Sequence, residues 1–259
     1  MRLAFTIIFN GLHHLIHNDY FEKAIPFFDA WVFVEGATQS GGSTKWCKSM
    51  PAEMHKNGNS IDGTVEFLEY LAREYSNVHV KLASGLWGSK DEMVNTAVEL
   101  LRVKGYSEGF LWEIDMDEQW RSEDIKAAEV ALKSNQIKTG TFLCNYHMGN
   151  NYFAVGDWGE GVKQPYRRLW DWKGERFLSH EPPELEGGNG TMALLSQRFE
   201  HYSWFFEQDV KFKSLWYSDH ESMYKKWKHL QVSNLPSIPI RTFLTGIWGD
   251  TNTLIVRRV

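Results

Sequence analysis

With 259 residues, a formal net charge of −5 and an isoelectric point near 6.1, the chain lacks the basic surface that binding to duplex nucleic acid requires. Its two cysteines, Cys47 and Cys144, are too few for a disulfide framework and indicate a reducing, cytoplasmic environment. The apolar start of the chain lacks a signal-peptide cleavage pattern, and no run is long enough to span a bilayer. We therefore expect no nucleic-acid partner and no membrane span.

The first half of the chain alternates between strand patterns and helix patterns. Apolar or alternating runs predict strands at residues 3–9, 31–34, 78–82 and 109–114. Apolar stripes with capping residues predict helices at residues 18–24, 63–75, 89–104 and 122–134. This alternation predicts an α/β fold, a mixed but mostly parallel sheet with helices on both faces. A Gly-rich connection from Gly36 to Ser60 is long enough to predict a functional or mobile loop.

The pattern changes after residue 134. Short strands separated by Gly, Asn and Asp turns predict an antiparallel C-terminal elaboration of the same sheet, at residues 139–146, 152–155, 166–172 and 176–178. Helices are predicted at residues 192–213 and 221–229, and a last strand at residues 253–256. We therefore predict one domain over residues 1–259, with a strand–helix half (1–134), an elaborated part (135–230) and a tail (231–259).

The predicted strand at residues 109–114 runs directly into Asp115–Glu118, which contains three carboxylates. Neighbouring carboxylates repel each other, and a divalent cation at the carboxyl end of a strand would remove that repulsion. The alternative is an acidic turn that caps the next helix. Gln119-Trp120 stands where a calcium-binding EF-hand loop needs Asp or Asn and then Gly. The chain also has no phosphate-binding P-loop motif and no dinucleotide fingerprint.

This acidic stretch, Asp115–Trp120, resembles the metal motif of glycosyltransferases with the GT-A fold, of the family 2-like and family 17-like type. Val32–Gly36 is similar to the strand end whose acid contacts the nucleotide base, and Lys90–Asn95 to the helix start that approaches the donor. Ser179–Pro183 and His201–Trp204 resemble the C-terminal part of these enzymes. The resemblance implies a metal-dependent, inverting transfer of a sugar from a nucleotide-diphosphate donor.

The resemblance extends over residues 1–230 and implies roles for single residues. It implies that Asp117 holds Mn²⁺ or Mg²⁺, and that Asp115 binds the metal through water or holds the donor ribose. A histidine often completes such a site; His201 is our first candidate and His180 our second. For both, the alternative is a hydrogen-bonded structural histidine. The residues that the resemblance puts at the donor are Glu35, Lys90, Asn95 and Asp115.

An inverting transfer also needs a base that takes the proton of the acceptor hydroxyl. Glu181 is our first candidate, with Asp157 and Glu207 after it, and the alternative for each is a solvated surface carboxylate. The expected partners are a nucleotide sugar and a carbohydrate or glycoconjugate acceptor.

Two other functions remain as alternatives. A sugar-phosphate nucleotidyltransferase shares the sheet architecture and the acidic metal ligands, but its Gly-rich first loop with a following Arg and Lys is absent after Phe9. The other alternative is a non-catalytic carbohydrate-binding protein on the same fold. Aromatic residues make up 15 % of the chain, and their rings form sugar-stacking surfaces as well as packed cores.

Overall fold

The computed structural model describes residues 1–39, 50–216, 220–243 and 252–258. Residues 40–49 of the predicted loop, which include Cys47, lie outside the described residues. The chain folds into two compact units that interleave along the sequence: unit 1 is Met1–Met116, Ser122–Thr141 and Arg167–Leu195, and unit 2 is Asp117–Arg121, Phe142–Tyr166 and Ser196–Val259. The single-domain division at residues 134 and 230 stays a prediction.

The described residues form the following strands and helices, numbered in chain order. The strands are β1 (Arg2–Ile8), β2 (Ala30–Glu35), β3 (Val78–Lys81), β4 (Gly109–Glu113), β5 (Glu118–Gln119), β6 (Thr139–His147), β7 (Tyr152–Val155), β8 (Tyr166–Trp172), β9 (Phe177–His180), β10 (Pro183–Leu185), β11 (Met192–His201), β12 (Ser237–Pro239) and β13 (Leu254–Arg257). The α-helices are α1 (Leu12–Leu15), α2 (Tyr20–Ala24), α3 (Thr64–Glu74), α4 (Lys90–Val103), α5 (Ser122–Ser134), α6 (Glu207–Trp216), α7 (His220–Val232) and α8 (Ile240–Phe243). Among the described residues, no helix combines the length and the apolar character that crossing a bilayer requires.

Unit 1 is built on a parallel sheet. Its strands follow the order β3-β2-β1-β4, and all three neighbouring pairs are parallel. The outer side of β4 pairs with β8 in the antiparallel direction. The predicted α/β fold, with a mixed sheet and a parallel core, is thereby confirmed.

Helices cover both faces of this sheet, because alternate residues of each strand point to opposite sides. Leu3 and Phe5 of β1 pack in an apolar cluster with the buried side of α4. On the other face, Trp31 and Phe33 of β2 contact Phe21 of α2, with ring centroids 5.5 and 5.7 Å apart. The sheet is therefore buried on both sides, as a parallel sheet requires.

The start of α4 is fixed by the predicted capping residues. The Ser89 hydroxyl accepts a hydrogen bond from the Glu92 backbone N–H at 3.2 Å, and the Glu92 carboxylate accepts one from the Gly88 N–H at 2.7 Å. This is a capping box shifted by one residue, because the return bond comes from Gly88 rather than from Ser89. Gly105 ends the helix with φ of 91°, as predicted for a C-terminal cap.

Unit 2 contains antiparallel strands and the C-terminal helices. β12, β13, β7 and the part of β6 from Phe142 onwards are neighbours in that order, and every described pair is antiparallel. β5 pairs with the end of β11. Trp227 connects α7 to the segment that follows β11, because its indole N–H donates to the backbone carbonyl of Trp204 at 2.9 Å. The predicted antiparallel elaboration is confirmed for these strands.

The predicted helix at residues 192–213 is wrong up to residue 206, because residues 192–201 form β11 and residues 202–206 form a turn. Met, Ala, Leu, Gln and Arg favour helices when taken alone. In β11, however, Phe199 and His201 are buried and Glu200 between them is only partly buried, which is the period of a strand. Pairing with β5 and β6 therefore overrides the local helix preference. The helix that follows begins at Glu207.

Candidate functional site

In unit 1, the carboxyl ends of β1, β2 and β4 lie side by side at one edge of the sheet. The register puts Ile8 of β1 opposite Glu35 of β2, and Phe5 of β1 opposite Glu113 of β4. Open α/β sheets bind their ligands at this edge. Two predicted donor contacts, Glu35 and Asp115, therefore belong to the edge where a ligand is expected.

Glu35 ends β2 and is completely buried. Its Oε1 accepts a hydrogen bond from the Ser60 backbone N–H at 2.7 Å, whereas its Oε2 has no hydrogen-bond partner among the described residues. Burial raises the pKa of Glu35, and the hydrogen bonds from Ser60 offset part of that rise. The carboxylate thus keeps one buried oxygen for a further donor, and its role at the nucleotide base stays a prediction.

The raised pKa of Glu35 predicts a pH-dependent difference between the wild type and Glu35→Gln. Because the pKa is higher in the folded state than in the unfolded state, the carboxyl group stabilises the fold at low pH and loses that contribution as the pH rises through the folded-state pKa. The stability of the wild type relative to the variant should fall by up to about 1.4 kcal/mol per pH unit over that window. Urea unfolding at a series of pH values measures it. If the difference in unfolding free energy between the wild type and Glu35→Gln stays constant from about pH 4 to 8, the raised pKa is contradicted.

A cluster of charged side chains gathers at the end of β4. The Arg168 guanidinium donates through Nη2 to Asp115 Oδ2 at 2.7 Å, and its Nη1 lies 3.6 Å from Glu113 Oε1. His180 Nε2 lies 2.9 Å from the same Glu113 oxygen. One ligand atom each of Glu113, Asp115 and His180 lie within 4.8 Å of one another. Two predicted metal ligands, Asp115 and His180, are thus close together, with Glu113 as a third group.

The start of α4 holds β9 beside this cluster. The Asn95 side chain forms two hydrogen bonds with the backbone of Phe177, each 2.9 Å long. The Asp91 carboxylate accepts a hydrogen bond from the backbone N–H of His180 at 2.6 Å. These contacts give Asn95 a structural role, and Lys90 is half-buried at the first position of α4. That Lys90 and Asn95 also contact the donor stays a prediction.

In unit 2, β5 and β11 bring Asp117 next to His201. The register pairs His201 with Glu118, and the Asp117 carbonyl accepts a hydrogen bond from the Tyr202 N–H at 2.7 Å. His201 Nε2 consequently lies 3.5 Å from Asp117 Oδ2, and the two side chains are only 9 % and 15 % exposed. The two leading candidates for metal ligands are therefore neighbours, although β11 is a strand and not the predicted helix.

Aromatic rings set the orientation of the His201 imidazole. Tyr146, Tyr166 and Phe199 contact it with centroids 4.5, 5.4 and 5.6 Å away. Its Nδ1 is buried and has no hydrogen-bond partner among the described residues. Burial raises the pKa of Tyr146 well above its usual value, so this neighbour stays uncharged. Ring packing thus directs Nε2 of His201 towards Asp117.

The three candidate bases have different surroundings. Glu181 is exposed. The Lys163 ammonium, 2.8 Å away, and a hydrogen bond from Asn252 lower the pKa of Asp157. Hydrogen bonds from Tyr224 and Lys211 lower the pKa of Glu207 to about 2. A carboxylate whose charged form is stabilised in this way is a weaker proton acceptor.

Sequence reasoning missed Glu113 and Arg168. The signal for Glu113 was a single acid inside the otherwise apolar run Phe110–Ile114. A carboxylate in a buried strand needs a hydrogen-bond donor or a positive charge beside it. The signal for Arg168 was a cation directly before Leu169-Trp170 in β8. Both side chains are more than nine-tenths buried. The antiparallel pairing of β4 and β8 that brings them together is not encoded by any local motif.

No protein-family model and no curated protein matches the chain. Among solved structures, residues 1–349 of S. aureus TarS match with a TM-score of 0.47 and 11 % identity, over 90 % of this chain and 73 % of that one. The same fragment in complex with UDP-GlcNAc matches with a TM-score of 0.46 and 12 % identity, over 83 % of this chain and 65 % of that one. A 4-diphosphocytidyl-2C-methyl-D-erythritol synthase matches with a TM-score of 0.35 and 13 % identity, over 66 % and 74 % of the two chains.

Proposed function

We propose that the protein is a metal-dependent, inverting glycosyltransferase of the GT-A type. It would move a sugar from a nucleotide-diphosphate donor to a hydroxyl group of a carbohydrate or glycoconjugate acceptor. The observation that carries the proposal is the pair Asp117 and His201, a carboxylate oxygen and an imidazole nitrogen 3.5 Å apart with little exposure to solvent. The acidic motif Asp115–Trp120 supports it, because it resembles the metal motif of such enzymes.

The spacing of Asp117 and His201 fits two ligands of one divalent cation. Ligand atoms about 2.0–2.2 Å from an ion lie about 2.8–3.6 Å apart when the angle at the ion is between about 90° and 110°. The observed 3.5 Å falls within this range. The carboxylate suits Mn²⁺ or Mg²⁺, and the imidazole favours Mn²⁺ of the two.

A cation held here would neutralise the negative charge that develops on the departing nucleoside diphosphate. Asp117 contributes the negative charge that retains such an ion, and its low exposure strengthens the attraction because less water screens it. His201 would contribute an imidazole nitrogen on a ring that packing already orients. The proposed contact for the nucleotide base is Glu35, through its unpaired buried oxygen. We keep Lys90, Asn95 and Asp115 as proposed donor contacts.

The proposed base is Glu181. It would take the proton of the acceptor hydroxyl while the acceptor oxygen bonds to the anomeric carbon and the nucleoside diphosphate leaves with the electrons of the broken bond. Asp157 and Glu207 are weaker choices, because their neighbours stabilise the charged carboxylates. Glu181 is exposed and lies next to His180 in the chain.

Incubation with nucleotide sugars and Mn²⁺ tests this function against the two alternatives. Slow hydrolysis of the donor to sugar and nucleoside diphosphate supports a transferase. Formation of a nucleotide sugar and pyrophosphate from a nucleoside triphosphate and a sugar phosphate would support a nucleotidyltransferase instead. Binding without any turnover would support a carbohydrate-binding protein.

Thermal unfolding identifies the donor within the same panel. A donor at about 100 times its Kd stabilises the folded state by about 2.7 kcal/mol, which corresponds to a melting temperature about 5–10 °C higher for a chain of this size. We expect this increase for one nucleotide sugar, and only with Mn²⁺ present. If no nucleotide sugar raises the melting temperature with Mn²⁺, the proposed function is wrong.

A further inference from the structure

We propose that Glu113, Asp115 and His180 of unit 1 bind a divalent transition-metal cation such as Zn²⁺ or Mn²⁺. This ligand set differs from the pair Asp117 and His201, and the proposal does not depend on transferase activity. It rests on three observations in unit 1: an unsatisfied buried carboxylate, a close contact that is not a hydrogen bond, and an uncompensated negative charge.

The first observation concerns burial. Glu113 is only 1 % exposed, and neither of its carboxylate oxygens has a hydrogen-bond partner among the described residues. His180 is 9 % exposed, and both of its ring nitrogens also lack a hydrogen-bond partner there. Buried charged and polar groups without partners are costly, and proteins keep them where a ligand completes their bonding. Both side chains belong to the same cluster at the end of β4.

The second observation concerns geometry. His180 Nε2 and Glu113 Oε1 are 2.9 Å apart, yet their alignment does not meet the requirements of a hydrogen bond. Two atoms that share a cation at about 2.0–2.2 Å lie about 3 Å apart, with each atom displaced from the direction of the other's lone pair. A close contact without donor–acceptor alignment is therefore the arrangement expected of two ligands of one ion. Asp115 completes a set whose ligand atoms lie within 4.8 Å of one another.

The third observation concerns charge. Arg168 is the cation of this cluster, and it donates to Asp115 while its Nη1 lies 3.6 Å from Glu113. One guanidinium opposite two carboxylates leaves an excess of negative charge, which favours the binding of a cation. A protonated His180 is the competing explanation. That explanation requires the ring to direct an N–H at Glu113, and the observed alignment does not provide it.

The ligand types select the class of metal. One imidazole with two carboxylates suits Zn²⁺, Mn²⁺ and related transition-metal ions, whereas Mg²⁺ and Ca²⁺ prefer oxygen ligands alone. The backbone N–H of His180 is held by Asp91, so the position of this ligand is fixed before any ion binds. We therefore expect Zn²⁺ or Mn²⁺ to bind and Mg²⁺ to bind much more weakly.

Calorimetry without nucleotide tests the site in the Asp117→Ala protein, so that the other ligand set does not contribute. Zn²⁺ and Mn²⁺ are titrated separately, and we expect a saturable site in this background. Adding Glu113→Gln or His180→Ala should lower the affinity of this site for the metal ion by about 100-fold or more. The loss of a residue that only supports a ligand costs about 10- to 100-fold, so the larger loss identifies a direct ligand. Glu184→Gln is the matched control, because Glu184 is an exposed carboxylate on β10. This variant should bind the metal ion like the Asp117→Ala parent.

The melting temperature of each variant in EDTA shows whether it is folded before metal is added. If Glu113→Gln does not fold, the affinity of His180→Ala decides alone. Absence of a saturable site in the Asp117→Ala protein overturns the proposal, and so does unchanged affinity in the folded variants. Because no nucleotide is present, either result leaves the proposed transferase function untouched.

Discussion

Asp117→Ala is expected to lower the affinity for a nucleoside diphosphate in the presence of Mn²⁺ by about 100-fold or more, because it removes a charged metal ligand. The affinity measured without Mn²⁺ should be much less affected. The fold should survive, since the hydrogen bond from Tyr202 reaches the backbone carbonyl of Asp117, which alanine keeps. Calorimetric titration of the nucleotide with and without Mn²⁺ measures the effect.

Asp171→Ala is the control for this experiment. Asp171 lies in β8, its side chain is 46 % exposed, and its ion-pair partner is Lys173 at 3.1 Å. We expect this variant to bind the nucleotide and Mn²⁺ like the wild type. Unchanged dependence on Mn²⁺ in Asp117→Ala would show that Asp117 is not a metal ligand.

Arg168→Met is expected to destabilise the protein by about 3–5 kcal/mol at neutral pH. Removing one partner of a buried charge pair leaves the other charge uncompensated, and that cost exceeds the value of most surface ion pairs. The Arg168 side chain is 7 % exposed and faces Glu113, which is 1 % exposed, as well as Asp115. Methionine keeps most of the length and the apolar packing of the side chain. Urea unfolding measures the change in free energy.

Two further variants decide whether the loss comes from the charge cluster. Arg167→Met removes the neighbouring guanidinium, which donates to the Pro183 carbonyl at 2.8 Å, and should cost only about 1–2 kcal/mol. Adding Glu113→Gln to Arg168→Met should recover part of the lost stability, with a coupling of at least about 1 kcal/mol. Additive effects of the two substitutions would contradict a direct charge interaction between Arg168 and Glu113.

The parallel core was predictable because its signals are local. The apolar runs of β1 and β2 alternate with capped, amphipathic helices, and this alternation specifies a parallel sheet without knowledge of distant contacts. Ser89 and Glu92 mark the start of α4 from four residues of sequence. The acidic residues after β4 were visible for the same reason, since a strand that ends in carboxylates is a pattern within one short stretch.

The remainder of the candidate site depends on pairings that no short stretch encodes. β11 contains good helix formers and becomes a strand through its pairing with β5 and β6, and the pairing with β5 also brings His201 to Asp117. Arg168 reaches Glu113 because β8 pairs with β4, and His180 reaches it because Asp91 and Asn95 of α4 hold β9. Sequence reasoning found the two histidines by resemblance and expected His201 opposite Asp117, but it did not connect His180 with Glu113.

A titration of Mn²⁺ in the presence of a nucleoside diphosphate, performed on the wild type, His201→Ala and His180→Ala, tests the central claim most directly. The claim is that Asp117 and His201 hold the cation that binds the diphosphate. It predicts that His201→Ala lowers the Mn²⁺ affinity that depends on the diphosphate by about tenfold or more, whereas His180→Ala leaves that component unchanged. A His201→Ala protein that binds Mn²⁺ and the diphosphate like the wild type would contradict the claim and would leave His201 as a structural histidine.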